Sequence, residues 1–234
     1  MGRIFKLDIM SISQNIDEVL KAIPEGVKLI AVSKTKPNEA IVEAYEGGYK
    51  IFGENKPQEL KGKFEALAKD IEWHFIGHLQ TNKVKYIAEF VHLIHAVDSM
   101  KLLKEINKQA LKHNRIINCL LQFHIAEEES KFGYNLSEAQ EMLNSDEFKC
   151  LENINIVGVM GMATFTDNED QVRSEFKQLK ENFDILKTKN FADKDDFVEV
   201  SMGMSGDYKI AIEEGSTMVR VGSSIFGARQ YAPK

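Results

Sequence analysis

Lys34 ends the apolar run LIAVS at residues 29–33, which sets an ammonium at the edge of a water-poor interior. Burial favours the neutral amine, the nucleophilic form that condenses with an aldehyde to a Schiff base. A strand-end lysine can equally lay its stem on apolar surface and keep its head in water. Two glycine- and serine-rich segments, SMGMSGD at 201–207 and VGSS at 221–224, would let backbone N–H groups approach a phosphate. A helix starting near Ser205 or Ser223 would add the positive end of its dipole. The same residues also make ordinary turns. Arg220 shares one side of a β-run with Met218 and Gly222, and a buried guanidinium there needs a partner, either a carboxylate or a ligand's anion or ring nitrogen. Asn55 could position a ligand or cap the helix that opens at Pro57. His74, His95 and His124 lie on apolar runs, where a hydrogen-bonded core histidine competes with an acid or base.

Other chemistries find no local motif. The sequence has no H-E-x-x-H cluster, Walker loop, dinucleotide glycine fingerprint or G-x-S-x-G elbow. The two cysteines, Cys119 and Cys150, lack the spacing of zinc ligands and are expected to be reduced and structural.

What must position these residues is a repeated βα rhythm. Short apolar runs at 28–33, 49–53, 72–76, 92–97, 116–125, 154–162, 197–202 and 217–222 alternate with longer amphipathic segments. That alternation is the mark of a parallel sheet with helical crossovers. Pro37 and Pro57 suit first helical turns, and Gly47-Gly48 offers a left-handed stop. Ser137 with Gln140 fits a capping box, and Val172, Phe176, Leu179 and Phe183 form an apolar helix stripe. Ile12, Ile16, Val19, Leu20 and Ile23 mark one further helix, expected to close the barrel bottom. Eight such units in 234 residues predict one (β/α)8 TIM barrel domain over residues 1–234, with an open doubly wound sheet as the alternative. The candidate residues then collect where chemistry gathers in such barrels, at the ends of the strands.

Composition agrees with a globular chain, at 43% hydrophobic and 28% charged residues. A net charge of -6 disfavours nucleic acid as a partner. No stretch is long and apolar enough to span a bilayer and the first residues lack a signal-peptide run, so a cytoplasmic location is expected.

Longer motifs carry a resemblance. AVSKTKP (31–37), FGEN (52–55), EWHFIGHLQTNK (72–83), SKFG (130–133), SMGMSGD and GSTMVRVGSSIFGAR (215–229) together resemble the YggS/PROSC family of pyridoxal phosphate homeostasis proteins, from end to end. The resemblance implies a barrel like the alanine racemase N-terminal domain, with pyridoxal 5'-phosphate (PLP) as a Schiff base on Lys34. It places Arg220 at the pyridine nitrogen, Ser205, Gly222 and Ser223 around the phosphate, and Asn55 beside the ring or its hydroxyl. Lys36 becomes a secondary acceptor during loading or transfer. A cation at the pyridine nitrogen weakens the ring as an electron sink.

The implied role is a monomeric, non-catalytic carrier that keeps free PLP low and could pass it to PLP-dependent apoenzymes. The alternative is a racemase-like amino-acid enzyme in which Lys34 and a second group, such as His124, exchange a proton at the substrate α-carbon. Only QYAPK follows Arg229, so the second domain and tyrosine base of the barrel-type racemases are expected to be missing, which favours the carrier.

Overall fold

The computed structural model describes residues 11–127 and 132–227. Expectations that fall on the first ten residues, on Ser130 and Lys131 of SKFG, and on the tail from Ala228 onward, Arg229 included, lie outside the described residues.

Eight strands, Lys28–Val32 (β1), Ile51–Glu54 (β2), Glu72–Phe75 (β3), Leu93–Val97 (β4), Ile117–Phe123 (β5), Ile154–Gly161 (β6), Glu199–Met204 (β7) and Met218–Val221 (β8), pair in parallel in chain order. β8 returns to β1 in the register Lys28↔Met218 to Ala31↔Val221, which closes the barrel. The expected (β/α)8 architecture is thus the observed one. Each expected run overlaps a strand, with one consequential difference. β7 continues to Met204 instead of ending at Met202, so Gly203 and Met204 belong to the strand and not to the loop that follows.

The helices are Ile12–Ala22 (α1), Asn38–Glu46 (α2), Pro57–Ala66 (α3), Met100–Lys112 (α4), Leu136–Asn144 (α5), Asp146–Lys149 (α6), Glu169–Lys189 (α7), Tyr208–Glu213 (α8) and Ser223–Phe226 (α9), and a 3-10 helix, Thr81–Tyr86, follows β3. Pro57 opens α3, Pro37 caps α2, and Gly48 at φ +93° turns the chain out of α2 as expected. The capping box of α5 is Asn135 with Glu138, not Ser137 with Gln140. Asn accepts the N3 amide as well as Ser does, and the earlier cap adds two residues to the helix. α1 does not close the bottom. It packs beside α2 and α9, with Ser13 Oγ donating to Glu43 O (3.0 Å) and Asn15 Nδ2 to Ile225 O (2.9 Å), and Leu20 stays exposed. At four residues α9 is too short to cover the wall where β8 meets β1, and α1 fills that place in the outer ring.

Two apolar layers hold the barrel. Trp73, Phe52, Phe75, Phe176 and Phe197 are fully buried in the layer between wall and helices, each contributing about 1.5–3 kcal/mol. Ile30, Leu93, Leu120, Met160 and Met218 belong to a separate inner cluster. Cys119 is a buried thiol whose pKa burial pushes far up, whereas Cys150 is exposed, so a structural role holds only for the first. Among the described residues no helix is long and apolar enough to cross a membrane.

Candidate functional site

A cavity of about 400 Å³ opens at the C-terminal ends of the strands, in the size range of small-molecule sites. Lys34, Ser205, Arg220, Gly222 and Ser223 all line it, together with Lys36. Residues 186 positions apart, Lys34 and Arg220, meet there because β1 and β8 are neighbours in the closed barrel. Asn55 is not among the lining residues. Its Oδ1 is buried without a hydrogen-bond partner, and Cα, Cβ and O of Asn55 crowd the place a side chain at Gly77 would need. His124 does not line the cavity either.

Lys34 sits in a tight turn just past β1, half-buried. Lys36 N donates to Ser33 O at 3.0 Å, and Thr35 takes φ +66°, a left-handed conformation that a β-branched residue rarely adopts. Glu59 compensates by accepting the Thr35 amide at 2.8 Å. Beneath the turn, Ser33 Oγ donates to Glu54 Oε1 (2.5 Å), and Lys63 Nζ donates to Ser33 O (3.0 Å), Glu54 Oε1 (2.7 Å) and Glu59 Oε1 (2.9 Å). Glu54 and Lys63 are both buried. Desolvation pushes the Glu54 carboxyl above the usual range, and the Lys63 ammonium and Ser33 hydroxyl pull it back. This network anchors the residue that precedes Lys34.

Arg220 comes from β8 and is 4% exposed. Its guanidinium donates to Ser201 Oγ (2.6 Å) and to Gly161 O (3.1 Å), so neither partner is the carboxylate that a stability role would favour. Burial lowers its pKa to about 10, which leaves it charged at neutral pH. Ser201 is also 2.9 Å from His95 Nδ1, and His95 Nε2 is 2.9 Å from His74 Nδ1. Burial holds both histidines neutral, His74 at about 3 and His95 well below its ordinary value. A polar chain of four side chains, from β8, β7, β4 and β3, therefore runs inward from the cavity. The lone serine in the apolar run FVEVSM was the signal that could have disclosed it.

The far wall of the cavity is built by two loops joined to each other. Gly203 at φ +91° turns β7, and a methyl there would come within 2.6 Å of Ala211 Cβ and 2.9 Å of Tyr208 Cα. Met204 N donates to Asp207 Oδ1 (2.5 Å), and Gly222 N donates to Ser205 Oγ (3.1 Å), which links the β7 loop to the start of α9. Lys36 Nζ donates to Phe226 O (2.7 Å) and Gly227 O (3.1 Å), a cation placed on the carbonyl end of α9. Met162 and Phe165, which follow β6, line the rim and had no signal in the sequence beyond their position after a strand.

Known proteins resemble this chain in sequence and fold. The model of the alanine racemase N-terminal domain matches residues 7–230. The pyridoxal phosphate homeostasis protein of Aquifex aeolicus is 42% identical over 87% of this chain and 88% of its own, and that of Vibrio alginolyticus is 40% identical over 95% and 99%. The structure of PipY from Synechococcus elongatus without PLP superposes with a TM-score of 0.86 at 32% identity over 92% of this chain and all of that one, and its PLP-bound form with 0.83. Alanine racemase of Bartonella henselae shares the fold alone, with a TM-score of 0.67 at 14% identity over 93% of this chain and 58% of that one. The chain belongs to the pyridoxal phosphate homeostasis protein family, on the barrel of the alanine racemase N-terminal domain.

Proposed function

We propose that this chain, as one barrel domain over residues 1–234, holds PLP covalently on Lys34 and keeps it in reserve without turning amino acids over. PLP supplies an aldehyde that condenses with primary amines, which makes it both useful and hazardous when free. The observation that carries the reading is the cavity in which the Lys34 amine, the Arg220 guanidinium and the hydroxyls and glycines of the β7 and β8 loops converge. Those groups match the aldehyde, the ring nitrogen and the phosphate in turn. The name of the relatives and the PLP bound to PipY support it.

Lys34 acts as the nucleophile. Its neutral amine adds to the aldehyde carbon, a C=N bond forms and water leaves, so the Schiff base is released again by hydrolysis. Ser205, Gly222 and Ser223 hold the phosphate at the start of α9, where backbone N–H groups favour an anion. Arg220, charged and buried, disfavours a proton on the ring nitrogen and so blunts the electron withdrawal that amino-acid chemistry requires. Release to PLP-dependent apoenzymes follows from the reversibility of the bond.

The test is the absorbance spectrum of the protein and of Lys34→Ala, followed by borohydride reduction and peptide mapping by mass spectrometry. A visible band with the label on Lys34, lost in the variant, is expected. A protein that stays colourless when PLP is added refutes the reading. Sustained exchange of the α-proton of an amino acid in deuterated water would replace reserve with catalysis.

A further inference from the structure

The polar chain that leaves the cavity does not end in apolar core. His74 Nδ1 is occupied by His95 at 2.9 Å, but His74 Nε2 is buried without a hydrogen-bond partner. An unsatisfied buried nitrogen of this kind costs about 1–3 kcal/mol unless something binds it. Glu72 and His92 stand beside it. Glu72 is two residues before His74 on β3, hence on the same side of the strand, and His92 is tied to the strand by its own amide, which donates to Trp73 O at 2.9 Å. The His92 ring lies 5.3 Å from that of His74, centre to centre, and His92 Nε2 is 3.7 Å from Glu72 Oε2. One ligand atom from each of the three residues falls within 4.8 Å of the other two.

We propose that Glu72, His74 and His92 form a binding site for a late first-row divalent cation of the zinc class, at the opposite end of the barrel from the cofactor cavity. Two imidazoles and one carboxylate are a donor set that zinc takes, with a fourth position open to water. Tetrahedral bonds of ordinary length put neighbouring ligand atoms about 3.3 Å apart, so the three groups must draw together by up to about 1.5 Å. The two that move are free to do so, since the side chains of Glu72 and His92 are 48% and 47% exposed, while His74 is fixed.

His74 also has the support that metal-binding histidines need. With the metal on Nε2 its proton sits on Nδ1 and is donated to His95 Nε2, and His95 in turn donates from Nδ1 to Ser201 Oγ. Lys28 sets an opposing charge nearby, but its ammonium is held by Glu199. An open cavity of about 290 Å³, lined by His92 and Lys28 among others, gives the ion a path from solvent.

The experiment is calorimetric titration of untagged, chelator-treated protein with Zn(II), paired with Co(II) titration read by its visible d–d bands. Wild type is compared with Glu72→Gln and His92→Ala, whose exposed side chains keep the fold intact, as circular dichroism checks. One ion per chain is expected, with tetrahedral-type Co(II) bands and at least a tenfold weaker dissociation constant in each variant. Failure to bind, or binding that both variants retain at wild-type strength, overturns the proposal, since an ion that survives both substitutions is held elsewhere. Neither outcome depends on whether Lys34 carries PLP.

Discussion

Lys63→Met removes a charge that the turn before Lys34 depends on, and the size of the effect can be worked out. The methionine keeps the stem but takes away all three Lys63 bonds, which leaves Glu54 buried without a cation and with the Ser33 hydroxyl as its remaining donor. An uncompensated buried charge of this kind costs about 3–5 kcal/mol. Glu54 escapes the charge by taking up a proton, at a cost of about 1.4 kcal/mol for each pH unit above its unfolded pKa near 4.3. That route caps the electrostatic loss at about 3.7 kcal/mol at pH 7 and about 1 kcal/mol at pH 5. The sign follows from proton counts. Desolvation already raises the folded carboxyl, and without Lys63 it rises further. Between the unfolded and folded pKa the native state then binds the extra proton, so stability falls as pH rises. The assay is urea unfolding of both proteins from pH 5 to pH 8. Comparison at equal pH cancels the titration of the groups that Lys63 does not touch. The destabilisation should grow by about 2–3 kcal/mol between pH 5 and pH 7. A difference that stays flat across that range refutes the argument and means that Glu54 is neutral in the wild type as well.

Other perturbations separate roles around the cavity. Ser201→Ala takes away one of the two acceptors of the Arg220 guanidinium and should cost about 1.5–3 kcal/mol in urea unfolding, the range for hydrogen bonds to charged groups, whereas a surface-like effect under 0.5 kcal/mol would mean that the guanidinium replaces the lost partner. Gly203→Ala forces a side chain into φ +91° and against Ala211 and Tyr208, so stability should fall by about 2 kcal/mol or more and PLP retention on gel filtration should drop with it. Lys36→Met frees the carbonyl end of α9 and should weaken PLP binding by about tenfold, near 1.4 kcal/mol, while the borohydride label stays on Lys34. A label that moves or vanishes in that variant would give Lys36 the acceptor role.

Much of the molecule was legible along the chain because it is locally encoded. Eight apolar runs, the prolines before α2 and α3 and the glycine after α2 mark elements whose hydrogen bonds close within a few residues. Lys34, SMGMSGD and VGSS stand out for the same reason, since each breaks an apolar run at a strand end, and five of the six site residues that the resemblance implies line one cavity. Asn55 had the right address, after β2, but an address does not fix which way a side chain faces.

Tertiary structure alone decided what lies inside the barrel. Strands of a closed parallel sheet are buried on both faces, so their sequences lack the alternation that would tell inward residues from outward ones. Nothing local announces that His74, His95, Ser201 and Arg220, from four strands, align in one hydrogen-bonded chain. The same holds for Glu54 meeting Lys63 under the turn, and for Glu72 and His92 gathering at the far mouth. The inward chain exists because the closed barrel turns residues of four strands toward a common axis, whereas the other two contacts join neighbouring elements. Propensity sets each strand by itself, whereas the register between strands sets which side chains touch.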